Sequence, residues 1–142
     1  MKKPVVLFLV VLALAGSLCA QAPKEPYTNR QLYELLNKIF YNWLGDKSEK
    51  LVLVTADGQS FVFPGDPAKV SVETHTIILA LARKGQGFKT VTNIVHNHAR
   101  GIGFNEKDLI ALEVFKKLGF VGKFQIFYPE TGKIKTFKGR LL

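Results

Sequence analysis

TVTNIVHNHARGIGFNEKD, residues 90–108, is the stretch around which the rest of this chain is organised. It begins as a run of β-branched and apolar residues, which is typical of a buried strand. It continues through His-Asn-His and a loop with two glycines, and from Asn105 the pattern changes to that of a helix. The segment therefore predicts a strand, a loop and a helix, with polar side chains at the junctions.

His96 and His98 lie two residues apart at the end of the predicted strand, which covers residues 90–97. Side chains alternate between the two faces of a strand, so we expect both imidazoles to point the same way. Two neutral imidazoles side by side form half of a typical zinc site. We therefore expect a third ligand a short distance downstream.

Asp108 is the candidate for that third ligand. Apolar residues at three-residue spacing predict the buried face of the helix, at Leu109, Leu112, Phe115 and Leu118. Asp108 falls on the same stripe, where a carboxylate needs a partner because burying it alone is costly. The alternative is a local role: Asn105 is a good N-cap, and a carboxylate three residues later favours a helix N-terminus.

The motif HNHARGIGFNEKD resembles the metal-site motif of the JAMM (JAB/MPN) zinc metalloprotease family, which is His-x-His-Pro, a short loop and Ser-x-x-Asp. The His-Asn-His form is especially similar to the bacterial RadC-like branch. The resemblance implies Zn²⁺ held by His96, His98 and Asp108, with water in the fourth position. Ala99 stands in place of the Pro, Asn105 stands in place of the Ser, and the loop is one residue shorter.

The resemblance also implies a general base, which in this family is a Glu at the start of the first strand. Glu49 stands just before the apolar run at residues 51–54 and is our candidate, although a solvated carboxylate in a charged turn is the alternative. Glu73 is the rival base. His75 lies near Glu73, and we interpret it as a helix-surface residue. The amide of Asn105 would take over the oxyanion contact of the missing Ser.

Alternating and helical patterns in the rest of the chain predict an α/β (α+β) single domain. The predicted order is α-ββ-α-β-α-ββ, a mixed β-sheet flanked by helices, and the resemblance implies a JAMM-like fold. The other predicted elements are a helix from residue 28 or 29 to about 44, a hairpin at 51–55 and 59–63, a helix at 70–84, and a second hairpin at 123–128 and 133–138.

Residues 1–20 have the pattern of a bacterial secretory signal peptide, with Lys2 and Lys3 followed by an apolar stretch too short to span a bilayer. The alternatives are an uncleaved N-terminal anchor and lipidation at Cys19. We expect a periplasmic or secreted protein, with a short linker at residues 21–27 and a metal-binding domain at 28–142. We expect no membrane contact after cleavage of the signal peptide.

Cysteine content limits the possible metal ligands, and net charge indicates the kind of binding partner. Cys19 is the only cysteine and lies in the predicted signal peptide, so any metal site of the mature chain must use His and carboxylates. The formal net charge of +9 favours anionic partners. The lysines are scattered, however, except along residues 133–140, and we expect no specific nucleic-acid partner.

The leading hypothesis is a zinc-dependent hydrolase of peptide or isopeptide bonds in a peptide or protein substrate. Zinc would activate water, Glu49 would accept the proton, and Asn105 would stabilise the oxyanion. The second hypothesis is a non-catalytic JAMM-like binding or assembly module, motivated by Ala99 and Asn105. A third is a nuclease, which predicts steep salt dependence. HNH nucleases, however, are named for residues spread over a larger unit, not for a contiguous tripeptide.

Overall fold

The structure is a computed structural model that describes residues 22–41, 49–64 and 70–139, apart from the side chains of residues 70–73. The predicted signal peptide lies outside the described residues, together with Cys19 and the side chain of Glu73. None of the helices in the described ranges is long and apolar enough to cross a membrane.

The described residues form an α+β domain whose elements follow the predicted order. The helices and strands are α1 (Asn29–Ile39), β1 (Lys50–Thr55), β2 (Ser60–Pro64), α2 (Val70–Arg83), β3 (Val91–Asn97), α3 (Glu106–Lys117), β4 (Lys123–Tyr128) and β5 (Lys133–Thr136). A short 3-10 turn, Phe88–Thr90, leads into β3. α1 ends at Ile39, before the predicted end near residue 44, and β5 is two residues shorter than predicted.

The five strands form one mixed sheet in the order β2-β1-β3-β4-β5. β1 is antiparallel to β3, with Leu51 opposite His96. β4 is parallel to β3, with Asn97 opposite Phe127, and α3 is the crossover between them. Consequently the start of β1 and the ends of β3 and β4 meet at one end of the sheet, where the histidine pair lies.

Helices cover both faces of the sheet, which explains why all seven residues of β3 are buried. α1 packs on one face through a cluster that comprises Leu32, Leu36, Phe40, Val52, Val54, Val95 and Phe127. α2 and α3 pack on the other face through a larger cluster, which comprises Leu53, Ile77, Leu81, Phe88, Val91, Ile94, Ala111, Leu112, Phe115, Phe120 and Phe124. Because side chains alternate along β3, His96 shares the second face with Ile94.

The segment before α1 is attached to the opposite end of the sheet. Glu25 accepts a hydrogen bond from Asn93 at 2.9 Å and forms an ion pair with Lys123 at 2.9 Å. The hydroxyl of Tyr27 donates to the carbonyl of Gly58 at 2.7 Å. These contacts fix the segment before α1 to one end of the sheet, and the histidine pair lies at the other end.

Candidate metal centre

His96 is the penultimate residue of β3, and His98 follows the strand directly. The backbone N–H of His98 donates to the carbonyl of Phe127 at 3.1 Å, so the parallel pairing with β4 continues past the last residue of β3. Both imidazoles are buried, and their ring centroids are 4.6 Å apart at an interplanar angle of 81°. The prediction that the two rings lie on the same side is confirmed.

Asp108, in the first turn of α3, faces both imidazoles and is only 2% exposed. Its Oδ1 lies 3.1 Å from Nε2 of His96, and its Oδ2 lies 3.6 Å from Nε2 of His98. The candidate ligand atoms of the three residues all lie within 4.8 Å of one another. Ligands of a tetrahedral ion with bonds of about 2.0–2.1 Å are separated by about 3.3 Å, so these spacings suit one ion.

The local role foreseen for Asp108 is also present. The backbone N–H of Asn105 donates to Oδ2 of Asp108 at 2.9 Å, and the N–H of Asp108 donates to Oδ1 of Asn105 at 3.1 Å. This reciprocal pair is a capping box, which satisfies two free N–H groups at the start of α3. The two interpretations of Asp108 are therefore compatible, because the cap holds its carboxylate in the orientation that faces the histidines.

Both ring nitrogens of His96 are buried without a hydrogen-bond partner among the described residues. The 3.1 Å approach of Asp108 is close, but it is not aligned with a ring N–H bond. Phe124 and Phe104 flank the ring, with centroids at 5.3 and 6.2 Å. Because an unpartnered buried nitrogen costs about 1–3 kcal/mol, a metal ion on Nε2 would remove a real penalty. His96, His98 and Asp108 thus form a buried group that can hold a metal ion.

The electrostatics of the group favour the ligand form of the carboxylate. Burial alone would raise the pKa of Asp108, but contact with His96 and His98 outweighs burial and holds that pKa well below its usual value. Burial alone would lower the pKa of His98, but the nearby carboxylate of Asp108 outweighs burial and raises the pKa. Asp108 is therefore ionised at neutral pH, and a metal would compete with a proton for His98.

A cavity of about 380 Å³ opens beside His98 and is lined by Glu49, Asn97, His98, Ala99, Ile102, Asn105 and Glu130. Glu49 stands two residues before Leu51, the partner of His96, and so lies on the same face of the sheet. Its negative charge contributes to the raised pKa of His98. The structure therefore places the predicted base at the same cavity as His98, one of the three predicted metal ligands.

Asn105 also lines this cavity, and its side chain is already partly engaged. Oδ1 accepts the capping hydrogen bond from Asp108, which leaves the amide Nδ2 as the donating group. In the same loop, the backbone N–H of Arg100 donates to Oε1 of Glu130 at 3.2 Å. His75 is exposed on α2, as interpreted from the sequence.

Three residues of the cavity region were not found from the sequence. Asn97 accepts a hydrogen bond from the N–H of Lys50, and Glu130 reaches the cavity from the turn between β4 and β5. Tyr128, the last residue of β4, donates its hydroxyl to the carbonyl of Ile102 at 2.7 Å. Burial, and then the charge of Asp108, raises the pKa of Tyr128, so its hydroxyl remains a donor at neutral pH.

One sequence feature could have indicated the last two of these residues. β3 and β4 are joined by a helical crossover, which predicts parallel strands with their carboxyl ends together. Residues at and just after the end of β4, such as Tyr128 and Glu130, are therefore expected beside the loop that follows β3.

No model of a protein family matches the sequence, and a search of proteins with curated functions found no significant match. The site itself therefore indicates the function: a buried His-His-Asp group can hold a metal ion, and the cavity beside it is lined by two further carboxylates, Glu49 and Glu130.

Proposed function

We propose that this protein is a zinc-dependent hydrolase of amide bonds in peptide or protein substrates, with a site of the JAMM type. The observation that carries the proposal is that Glu49, which is distant in sequence, lies at the cavity beside the continuous strand, loop and helix that contain His96, His98 and Asp108. β3 supplies His96, α3 supplies Asp108, and the start of β1 supplies Glu49 beside His98. Because the pairing of β1 with β3 places Glu49 on the same face of the sheet as His96 and beside His98, the arrangement favours a shared chemical role.

The ligand set favours zinc. Two imidazole nitrogens and one carboxylate oxygen suit Zn²⁺, and three protein ligands leave one coordination position for water or substrate. Bound zinc would activate water and polarise a carbonyl. The cavity lies on the His98 side of the group, which gives a substrate access to the metal from that side. His96, which does not line the cavity, would hold the ion from the interior of the domain.

The protein's own groups would complete the reaction. Glu49 would accept a proton at its carboxylate and later pass it to the leaving amine, which is the usual duty of a general base in such hydrolases. The amide Nδ2 of Asn105 would donate to the carbonyl oxygen as negative charge develops there. The capping bond to Asp108 would hold that amide in place, so the helix cap would also orient the oxyanion donor.

A non-catalytic binding module is the second candidate, and one observation favours it. The Oδ1 atom of Asn105, which stands where the JAMM motif has Ser, is committed to the helix cap. If the amide cannot reorient towards a substrate, the site would bind zinc and peptide without hydrolysis. Replacing Glu49 would then leave zinc and peptide binding unchanged.

We also propose that residues 1–20 direct export and are removed. A metal site made only of His and carboxylates is compatible with an oxidising compartment, where a thiolate site would be vulnerable. Mass spectrometry of protein recovered from the periplasm of an expressing bacterium tests this. A mature N-terminus near Gln21 is expected, and an intact Met1 in cytoplasmic protein would contradict export.

Metal analysis of purified protein tests the site first. About one zinc ion per chain is expected, lost in the double variant His96→Ala, His98→Ala and retained in His75→Ala, which removes an exposed histidine. Hydrolysis of a peptide library by the zinc-loaded protein then tests the chemistry. Glu49→Gln should abolish hydrolysis while retaining zinc. Hydrolysis that persists in Glu49→Gln would exclude this residue as the base.

A further inference from the structure

The carbonyl oxygen of Ile102 accepts two hydrogen bonds. The hydroxyl of Tyr128 donates one at 2.7 Å, and Nδ1 of His98 makes the other at 3.3 Å. A carbonyl oxygen can only accept, so the second bond requires the proton of His98 to be on Nδ1. The other ring nitrogen, Nε2, is the atom that faces Asp108. The carbonyl of Ile102 therefore selects the tautomer whose bare nitrogen points to the metal group.

We propose that Tyr128 is a positioning residue for the metal centre, which acts on His98 through the carbonyl of Ile102. The inference rests on the metal site of the proposed function. Histidine ligands almost always donate their outer N–H to a carbonyl or carboxylate, which fixes the ring and its tautomer. Here the carbonyl itself belongs to an exposed loop, and Tyr128 holds it from the end of β4.

The loop has little else to fix this carbonyl. Ile102 is 53% exposed, and the turn that contains it passes through Gly101 at a φ of +81°. The N–H of Ile102 donates to the carbonyl of Ala99, which closes the turn but leaves the outward carbonyl to Tyr128 and His98. Of these two contacts the tyrosine bond is shorter by 0.6 Å and comes from a strand. Tyr128 therefore provides the rigid anchor, and His98 aligns to the carbonyl that it holds.

Tyr27 provides a matched control. Its hydroxyl also donates to a backbone carbonyl at 2.7 Å, that of Gly58, in the turn between β1 and β2. This turn lies at the opposite end of the sheet from the histidine pair. Tyr128→Phe and Tyr27→Phe thus remove the same kind of bond, and only the first of them is expected to affect the metal centre.

The test measures zinc affinity by chelator competition in the full chain and in both variants. Zinc affinity is expected to fall about tenfold in Tyr128→Phe, at the lower end of the range for outer partners of metal ligands, and to stay unchanged in Tyr27→Phe. Both variants are expected to show a similar small fall in denaturation midpoint without metal. Equal zinc affinity in Tyr128→Phe and the unaltered protein would overturn the proposal.

A second readout does not depend on metal. Nitrogen-detected NMR of the histidine rings in the metal-free protein, at a pH where His98 is neutral, reports which nitrogen carries the proton. His98 is expected to be protonated on Nδ1, with a mixture of tautomers in Tyr128→Phe. If no zinc binds the unaltered protein, the proposed function fails, while the tautomer change still decides the role of Tyr128. An unchanged tautomer in Tyr128→Phe would refute that role.

Discussion

The backbone N–H of Lys50 donates a 2.7 Å hydrogen bond to Oδ1 of Asn97, which joins the first residue of β1 to the last residue of β3. The two residues are 47 positions apart in sequence. Glu49 precedes Lys50 directly and lies at the cavity beside His98. Together with the ladder between β1 and β3, this bond holds the proposed base near the proposed ligands.

Replacing Asn97 by Ala should consequently separate catalysis from metal binding. Loss of the acceptor frees the N–H of Lys50 and loosens the start of β1, so we expect the hydrolysis rate to fall at least tenfold with zinc affinity nearly unchanged. Peptide hydrolysis and chelator competition measure the two effects. Asn93→Ala is the control, because Asn93 is a buried asparagine on the same face of β3 at its other end. A similar fall in rate for both variants would show a general loss of stability.

Replacing Asp108 by Asn should remove the metal site while preserving most of the helix cap. The amide oxygen of Asn can still accept from the N–H of Asn105, but it is a poor ligand and carries no charge. Zinc at 100 times its dissociation constant should stabilise the unaltered protein by about 2.7 kcal/mol and the variant by almost nothing. Thermal denaturation with and without zinc measures this. Glu106→Gln, which neutralises an exposed carboxylate of the same helical turn, should respond to zinc like the unaltered protein.

The stability of the metal-free protein should depend on pH through Asp108 and His98. The lowered pKa of Asp108 contributes stability above its ordinary value of 3.8, and this contribution is lost as the pH falls below that value. The raised pKa of His98 contributes stability below its ordinary value of 6.5, and this contribution is lost as the pH rises through the raised pKa. Urea denaturation should therefore give maximum stability between about pH 4 and 6.5.

The stability of the zinc-loaded protein should instead rise as the pH rises through the pKa of His98. Zinc requires a neutral His98, so its affinity should rise with pH until the imidazole has lost its proton. In Asp108→Asn, the pH dependence of metal-free stability and the pH dependence of zinc affinity should both be much smaller. A metal-free stability that keeps rising from pH 6 to 8 would contradict the coupling between the two residues.

Gly122, which stands just before β4, should tolerate no side chain. A Cβ atom at this position would lie 2.2 Å from the carbonyl oxygen of Thr92, which is backbone and cannot yield. We expect Gly122→Ala to reduce the free energy of unfolding by about 2–3 kcal/mol, the upper part of the range for overpacking. Gly87→Ala is the control, since a Cβ there meets nothing within 4 Å. Urea denaturation of both variants checks the difference.

The local parts of the fold were predictable because they follow from short-range patterns. The run of β-branched and apolar residues at 90–97 predicted β3, and the spacing of apolar residues together with the Asn105 cap predicted α3. The proximity of His96, His98 and Asp108 followed from one strand, one loop and one helix. No long-range pairing was needed, which is why the sequence sufficed.

Residues that reach the cavity through long-range pairing were harder to find. Glu49 was predicted through the family resemblance alone, and its place beside His98 depends on the antiparallel pairing of β1 with β3. Glu130 and Tyr128 depend on the parallel register between β3 and β4. The helical crossover could have placed Tyr128 and Glu130 near the loop after β3, but no periodicity within either strand specifies the register that sets their individual contacts.

The spacing of the site along the chain has a consequence for the order in which its parts assemble. His96 and Asp108 belong to adjacent segments, so bringing them together closes a short loop at a small entropic cost. Glu49 arrives only when β1 has paired with β3, which requires closure of a much longer loop. A partly folded chain could therefore bind the proposed zinc ion before the proposed base is in place. Such an intermediate would carry zinc and yet be hydrolytically silent, which would spare neighbouring unfolded chains from cleavage during biosynthesis.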